Sequence, residues 1–310
     1  MKKTALAVLV LLTAFSLFSA GLTVESADTV AAGKGMVSLG GDMGFYNRFY
    51  NNSGDYVEFT GNTAKTSISI PLAVKYGLGN NMEAGLEVPF VLSTFTTAAN
   101  TKLTGTGFGD AVISGKMGLM KDASMSAAAK LSIGIPLGKS ALDASSADFP
   151  TASGFLSIGL NVSGSMKLCE GNELSLNAGY TLPLSATVTQ VYGITFPETK
   201  ITPAGVFSYG VSDKHKLMKE LSAIIEASGF FKATGSAVFT AGGDATAAVM
   251  IAGSPDIVLY NQSAIFVKPA LQYALSDSMS VTAGTTITMY MLNDYSALPG
   301  NVFVTVGAGF

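Results

Sequence analysis

The sequence predicts an all-β protein, a closed antiparallel up-and-down transmembrane β-barrel of about 12 strands. The chain of 310 residues is 48% hydrophobic, yet only 13% of its residues are charged. After the N-terminus it has no run of about 20 apolar residues, the length that a membrane helix needs. Its 35 glycines disfavour long helices, while Val, Ile, Phe and Tyr recur in short segments. High hydropathy with low charge and alternating segments is typical of strands that turn one face toward lipid.

The start of the chain is predicted to be a secretory signal peptide. Two lysines precede an apolar stretch at residues 5–15, and small residues follow it. We expect cleavage after Gly21, with residues 30–32 as a second candidate site and a membrane anchor as the alternative interpretation. The predicted divisions are a signal peptide at 1–21, a short N-terminal segment at 22–35 and a barrel at 36–310.

Alternation of apolar and polar residues with period two marks the strands. The connections between them alternate between tight turns and longer loops, as in outer-membrane barrels, and an even strand number places both ends of the barrel on the short-turn, periplasmic side. The twelve predicted strands span residues 36–47, 65–77, 82–93, 107–120, 125–137, 152–168, 173–185, 201–212, 221–233, 263–276, 279–292 and 301–310.

The longer loops carry one unusual segment. Residues 234–262 are rich in Ala, Val, Phe, Met and Ile, so this loop either folds inward as a constriction or extends two strands as a hairpin with its turn at 242–244. We favour the extended hairpin. The predicted long loops are residues 48–64, 94–106, 138–151, 186–200 and 234–262, and residues 213–220 form a turn of intermediate length.

The apolar residues fix the register of each strand, and the charged residues then fall on the inner face. Near the end of the eleventh strand, Met289 and Met291 are assigned to the lipid side and Tyr290 to the lumen. The inward charges form either a slightly basic conduit that selects solutes by charge and width, or mutually satisfied ion pairs that fill a narrow barrel. The predicted lumenal residues are Asp42, Lys65, Lys75, Glu83, Glu87, Asp110, Lys116, Lys130, Lys167, Glu226, Lys232 and Lys268.

Aromatic residues on outward positions suggest two interfacial girdles. Phe310 ends the last alternating strand, and this ending resembles the C-terminal signal that the barrel-assembly machinery of bacteria reads. We therefore predict that Phe310 acts as an assembly signal. The girdle residues are Tyr76, Tyr209, Tyr273 and Phe310 near the turns and Phe45, Phe90 and Phe231 near the loops.

Four inward prolines interrupt the predicted strands, because a proline cannot donate a ladder hydrogen bond. Pro71 and Pro89 lie in one hairpin, where Pro71 faces either Glu87 or Pro89. One hypothesis is a weakened lateral seam through which an apolar solute leaves into the membrane, and the favoured alternative is a bulge that helps the barrel curve. The remaining two are Pro136 and Pro183.

The hairpin at residues 70–90 is followed by Gly107, Phe108, Gly109 and Asp110 and then by Lys116. Across residues 68–119 this pattern resembles the outer-membrane barrels of the phenol-degradation (MetA-pathway) or transporter-like family. The resemblance implies uptake of small hydrophobic or aromatic compounds across a bacterial outer membrane.

The remaining residues argue against other classes of function. A net charge of −3 without a basic run disfavours nucleic-acid binding. His215 is the single histidine and lies in a polar turn, so catalysis is not expected, and Cys169 is the single cysteine. No metal or cofactor is expected.

The predicted partners are outer-membrane lipid, the barrel-assembly machinery and a small solute, and the oligomeric state stays open. The predicted function is solute passage, with a general ion-conducting porin or a structural or adhesive surface barrel as alternatives.

Overall fold

Twelve antiparallel strands close into a barrel in the computed structural model of this chain. No helix in the part of the chain that the structure describes is long and apolar enough to cross a membrane. The predicted signal peptide lies outside that part. The described residues are 22–50, 56–58, 64–96, 100–140, 142, 148–191, 194–239, 261–292, 295–297 and 301–310.

The strands are numbered in chain order. They are β1 (Gly35–Tyr50), β2 (Tyr56–Glu58), β3 (Ala64–Gly79), β4 (Met82–Thr96), β5 (Lys102–Phe108), β6 (Asp110–Lys121), β7 (Met125–Pro136), β8 (Ser157–Cys169), β9 (Asn172–Pro183), β10 (Ala186–Val191), β11 (Ile194–Thr202), β12 (Val206–Lys216), β13 (Leu221–Lys232), β14 (Ser236–Phe239), β15 (Gln262–Ser276), β16 (Met279–Leu292), β17 (Tyr295–Ala297) and β18 (Asn301–Gly309).

The barrel wall runs in the order β1, β3, β4, β6, β7, β8, β9, β12, β13, β15, β16 and β18. Its first strand pairs with the second barrel strand, β3, and with the last, β18, so the sheet has no free edge along these ladders. Ladder closure satisfies the backbone of a chain that lies in lipid. The predicted fold class and strand number are confirmed.

The short connections have the expected turn chemistry. Between β3 and β4, Asn80 and Asn81 adopt positive φ angles of 51° and 57°, and Gly79 adopts 94°. Asparagine and glycine tolerate this left-handed conformation, which a tight hairpin requires. The turn therefore fixes the β3–β4 register, in which Pro71 faces Pro89.

The outer wall is apolar. Leu72, Ile113, Leu131 and Leu160 project from four different strands and are each at least 46% exposed. Such a surface would be costly in water, because burying apolar area contributes about 25 cal/mol per Å². The outward positions predicted for most girdle aromatics are also exposed, namely Phe45, Tyr76, Tyr209, Phe231, Tyr273 and Phe310.

The predicted faces at the end of β16 were wrong. The ladder pairs Ile265 with Tyr290 but Phe266 with Thr288, so Met289 is an extra, bulged residue. A one-residue bulge moves the following side chains to the opposite faces. Tyr290 is consequently exposed, whereas Met291 is 4% exposed and lines the lumen.

Several predicted loops contain additional strands. β2 and β17 pair with the loop-side end of β1, and β5 pairs with β4 beyond the point where β6 leaves it. β10, β11 and β14 form a separate three-stranded sheet. These strands extend beyond the barrel because backbone pairing continues after the lipid-facing alternation stops. The extended hairpin favoured for residues 234–262 is described only in part, because residues 240–260 lie outside the described ranges.

Several predicted strand boundaries were also displaced. β12 begins at Val206 and continues to Lys216, so His215 lies at the exposed end of a strand and not in a turn. The predicted start at residue 201 belongs to β11, which ends just before Pro203. Proline cannot donate to the ladder, which explains the break. β8 likewise begins at Ser157, because the residues before it form a loop that enters the lumen.

Candidate functional site

Residues 22–34 lie inside the barrel and are called the plug. The backbone N–H groups of Thr23 and Val24 both donate to Glu226 on β13, at 2.9 Å each. Further along, the Ala27 N–H donates to Ser165 Oγ at 3.0 Å and the Val30 N–H donates to Glu83 Oε2 at 2.8 Å. Since these partners lie on the inner faces of β13, β8 and β4, the plug crosses the lumen.

The plug leaves the lumen at the turn-side rim. The N–H of Gly33 donates to the Gly77 carbonyl at 2.9 Å, and the N–H of Gly77 donates to the Lys34 carbonyl at 3.0 Å. A side chain at residue 77 would collide with the plug, because a Cβ there would lie 2.1 Å from the Ala31 carbonyl oxygen. The absence of a side chain at Gly77 therefore permits this close crossing.

Lysines of the wall bind the acidic side chain and the carbonyl groups of the plug. Glu25 Oε1 lies 3.4 Å from Lys75 Nζ and 2.9 Å from Lys130 Nζ. Lys116 Nζ donates to the carbonyl oxygens of Ser26 and Asp28, at 2.6 Å and 2.8 Å. Thus three lysines that the sequence assigned to the lumen hold the plug from three strands.

Glu25 belongs to the plug and to none of the membrane-spanning strands. Burial alone would raise the pKa of its carboxyl, but the positive charges of Lys75, Lys130 and Lys116 outweigh burial. They hold the pKa at about 2, below the ordinary value of 4.5. The carboxylate is therefore the form that the wall binds.

We expect the Glu25 contacts to stabilise the plug fully above pH 4.5 and to be lost as the pH falls toward about 2. The sign follows from the lowered pKa, because protonation removes the charge that Lys75, Lys116 and Lys130 attract. Glu83, 4.0 Å from Lys75, is the nearest competing carboxylate on the wall. Single-channel conductance as a function of pH should show an acid-induced rise in this window that is diminished in Glu25→Gln. An identical acid response in that variant would contradict the assignment.

A buried ion pair lies where the plug begins. Lys268 Nζ is 3.0 Å from Glu226 Oε1, and the two side chains are 4% and 0% exposed. Thr23 Oγ1 donates to the same carboxylate at 2.6 Å and accepts from Lys268 at 3.1 Å, while Ser228 Oγ donates to Glu226 at 2.9 Å. The charges are thus compensated by a hydrogen-bonded network, as buried charges require.

The first residue of the plug makes an apolar contact. Leu22 packs against Ile224, Ala270 and Phe303, which are buried on the inner wall. Phe303 is completely inaccessible. The plug is therefore anchored by one apolar side chain in addition to its polar contacts.

The described residues of the loop between β7 and β8, namely 137–140, 142 and 148–156, approach the lumen from the other end. The Phe149 N–H donates to the Thr104 carbonyl at 3.0 Å, and Thr151 Oγ1 donates to the Phe108 carbonyl at 2.8 Å. The Ser153 N–H donates to Asp110 Oδ1 at 3.0 Å. The described part of this loop, called the inner loop, lies on β5 and the start of β6.

Two glycines make room for the inner loop. A Cβ at Gly105 would lie 2.1 Å from the Phe149 carbonyl oxygen, and a Cβ at Gly109 would lie 3.2 Å from the Thr151 carbonyl oxygen. Gly107 lies between them, opposite Thr151 Oγ1. Glycine permits this close approach of two backbones. The Gly-x-Gly-Asp motif, noted in the sequence for its family resemblance, thus has a structural role as the seat of the inner loop.

Aromatic contacts complete the loop side of the lumen. Phe149 is 4% exposed and stacks on Phe95 with the ring centroids 6.0 Å apart. Lys65 Nζ lies 5.2 Å from the centre of the Phe149 ring and 5.6 Å from that of Tyr46. Both distances fall in the range of cation–π attraction.

A cavity of about 490 Å³ separates the two elements, bounded by Thr23 of the plug and by Lys65 near the inner loop. Tyr46, Phe230 and Phe266 give it an aromatic lining, with the last two rings 6.3 Å apart. Two lining atoms, Asn177 Oδ1 and Thr286 Oγ1, are buried and have no partner among the described atoms. The cavity thus offers aromatic surface to a ligand, while these two buried atoms are not accessible from it.

The other predicted lumenal charges occupy further positions on the wall. Asp42 occupies the ladder position beside Phe303, and Asp110 receives the inner loop. Glu87 is exposed toward the lumen and forms no hydrogen bond or ion pair with the described residues. Lys167 lines a second cavity of about 490 Å³ at the turn side, and Lys232 ends β13.

The sequence had left open whether the charges line a conduit or neutralise one another. In the described lumen, Lys268 and Glu226 pair within the wall, but Lys75, Lys116 and Lys130 bind the plug. The sequence contained a signal that some lumenal lysines bind an acidic segment. Seven lysines and five carboxylates were assigned to the lumen, which leaves an excess of two positive charges. Residues 22–30 contain two acidic residues and no basic one, which offsets that excess.

Comparison with solved structures identifies the architecture. An outer membrane channel from Pseudomonas putida F1 superposes with a TM-score of 0.71 and 11% sequence identity, over 92% of this chain and 98% of that one. The fold is that of an outer-membrane β-barrel. The translocator domain of the autotransporter NalP from Neisseria meningitidis is less similar, with a TM-score of 0.50 and 11% identity over 91% of this chain and 90% of that one. No protein-family model and no curated protein matches the sequence.

Within this outer-membrane barrel the lumen is narrowed from both sides. The plug crosses the turn-side part, whereas the described residues of the inner loop lie against one wall of the loop-side part. The central cavity lies between these two elements.

Proposed function

We propose that this barrel lies in a bacterial outer membrane and passes small hydrophobic or aromatic solutes through its lumen. The central cavity carries the proposal, because the aromatic rings of Tyr46, Phe230 and Phe266 in its wall suit a small aromatic solute. The resemblance of residues 68–119 to the phenol-degradation or transporter-like family points in the same direction. The exposed apolar outer wall supports the membrane location.

The test is uptake of an aromatic probe such as phenol into liposomes that contain the barrel, together with ion conductance in planar bilayers. Thr288→Trp, which fills part of the cavity, should slow uptake, because Thr288 lines it. Thr187→Trp is the matched control, since Thr187 is exposed on β10 away from the barrel wall. Stepwise ion conductance without aromatic selectivity would indicate a general porin, and silence in both assays would indicate a surface scaffold.

The dozen lumenal charges remain candidates for selectivity. Glu87 is the clearest candidate for charge selectivity, because its exposed carboxylate faces the lumen and binds no described residue. Charged side chains that line a pore, singly or arranged in a ring, select ions by the sign of their charge. Glu87→Gln should therefore reduce any preference for cations, measured as the reversal potential in a salt gradient.

The lateral seam is a second part of the proposal. Pro71 and Pro89 face each other across β3 and β4. The β1–β3 ladder runs to Leu39 opposite Leu72 and resumes only at Asp42 opposite Ser69, so the pairing is interrupted beside Pro71. A wall with missing ladder bonds separates more easily than a continuous one. Bulging that only curves the barrel is the alternative.

We expect the double substitution Pro71→Val and Pro89→Val to slow uptake of an aromatic probe while leaving ion conductance unchanged. Valine can donate the missing ladder hydrogen bonds and stabilises strands, so the seam should tighten. Uptake should be measured in liposomes at equal protein content. Uptake equal to that of the unchanged barrel would leave the bulge as the role of these prolines.

We also propose export by an N-terminal signal peptide and recognition of Phe310 by the barrel-assembly machinery. The Phe310 N–H donates to the Gly35 carbonyl, and the Phe310 carbonyl accepts from the Gly35 N–H, both at 2.9 Å. The ring is 69% exposed and free for recognition. Phe310→Ala keeps the backbone bonds, so reduced insertion of this variant into outer membranes would report the loss of the ring alone.

A further inference from the structure

We propose that the inner wall of this barrel is a binding site for an acidic peptide, and that residues 22–34 are its resident, exchangeable ligand. The statement that ligand release opens the barrel rests on the proposed passage of solutes. The binding site itself does not depend on that proposal.

The wall recognises the backbone of the plug. Glu226 accepts from two consecutive N–H groups, those of Thr23 and Val24, and Glu83 accepts from the Val30 N–H. Lys116 binds two carbonyl groups of the same segment. Carboxylates placed for N–H groups and an ammonium placed for carbonyls bind a peptide through its main chain.

Two side chains of the plug add selectivity. Leu22 contacts the buried cluster of Ile224, Ala270 and Phe303. Three residues later, Glu25 lies between Lys75 and Lys130. The ligand class is thus a peptide with an apolar residue followed at the third position by a carboxylate.

The plug is not part of the barrel ladder. Residues 22–31 belong to none of the strands, and the only bridge between residues 22–34 and the wall in the described part pairs Ala32 with Gly77. The twelve-strand ladder closes through β1, β3 and β18 without the plug. The segment can therefore leave while the backbone pairing of the barrel stays complete.

A pivot for this movement lies at the rim. Gly33 has a φ of 71°, and a Cβ at this position would meet nothing within 4 Å. It stands between Val30, the last residue of the plug bound by a wall side chain, and the first residue of β1. Glycine in this conformation joins a removable segment to a fixed strand without side-chain contacts.

The experiment uses a barrel that lacks residues 22–32 and a fluorescein-labelled synthetic peptide with the sequence of residues 22–34. Fluorescence anisotropy in detergent should show saturable 1:1 binding. The peptide carrying Glu25→Lys should bind at least about tenfold more weakly, because it reverses one end of a partly buried ion pair. The full-length barrel should bind little labelled peptide, since its own plug occupies the site.

Wall variants separate the site from nonspecific attraction to lysines. Lys116→Met in the plug-free barrel should weaken binding of the peptide by a similar factor, because the variant loses the two contacts of Lys116 with peptide carbonyl groups. Lys219→Met is the matched control, since Lys219 lies exposed in the turn after β12. Binding that is absent, equal for the Glu25→Lys peptide, or equally reduced by both lysine variants would overturn the inference.

Ion conductance in planar bilayers then tests whether release of the plug opens the barrel. The plug-free barrel should conduct more than the full-length barrel, and the 22–34 peptide added on the turn side should block it. Specific peptide binding without any conductance would sustain the peptide site and refute solute passage. Conductance that the peptide does not reduce would sustain passage and overturn the peptide site as a gate.

Discussion

Lys268→Met should lower the free energy of unfolding by about 3–5 kcal/mol, the usual cost of removing one partner of a buried ion pair. Glu226 is fully buried, and after the substitution its carboxylate keeps only the hydrogen bonds from Thr23, Val24 and Ser228. The desolvated charge would no longer face an ammonium 3.0 Å away. Equilibrium unfolding in urea with phospholipid vesicles measures the change.

Two further variants make the test specific. Replacing both charges, as Lys268→Met with Glu226→Met, should restore most of the lost stability, because an apolar pair leaves no uncompensated charge. Lys139→Met removes a lysine from a pair whose lysine side chain is 63% exposed, and should change stability by no more than about 1 kcal/mol. Equal losses in Lys268→Met and Lys139→Met would show that the buried network contributes little.

Gly105→Val should expel the inner loop from the lumen. The new Cβ would lie 2.1 Å from the Phe149 carbonyl oxygen, a distance that neither backbone can accommodate without moving. Loss of the contact would release Phe149 from Phe95 and Lys65. We expect higher single-channel conductance and faster tryptic cleavage after Lys139, which lies in this loop.

The matched control is Gly115→Val on β6. A Cβ at Gly115 meets nothing within 4 Å, so the same added side chain has room. Both glycines lie in strands of the same region, and therefore both substitutions change β propensity alike. Conductance that rises equally in the two variants would point to a general weakening of the wall and not to the seat of the inner loop.

Plug removal and Gly105→Val act on different constrictions of the lumen. Plug removal should open the turn side, whereas Gly105→Val should open the loop side. A barrel with both changes should conduct more than either single variant. If Gly105→Val alone gave the full increase, the inner loop would be the main constriction and the plug a secondary one.

The strands and most of their faces could be predicted from the sequence, because a strand in lipid repeats its apolar residues every second position. Lys75, Lys116, Lys130, Glu226 and Lys268 were placed inward on that basis, and their contacts with the plug lie within the lumen. The rule failed at Met289, where a single bulged residue reversed the faces of Tyr290 and Met291. At this end of β16 apolar residues occupy both faces of the strand, so the alternation of apolar and polar residues could not reveal the bulge.

The contents of the lumen could not be predicted, because the plug has neither periodicity nor a local motif. Thr23 contacts Glu226, which is 203 residues away in the chain, and only closure of the barrel brings them together. The glycines at 105 and 109 could be seen in the sequence, but the loop that packs closely against them could not. The wall of the barrel follows from the local sequence pattern, since lipid imposes the same alternation on every strand. The contents of the lumen follow from the fold, since irregular segments are positioned by contacts between distant residues.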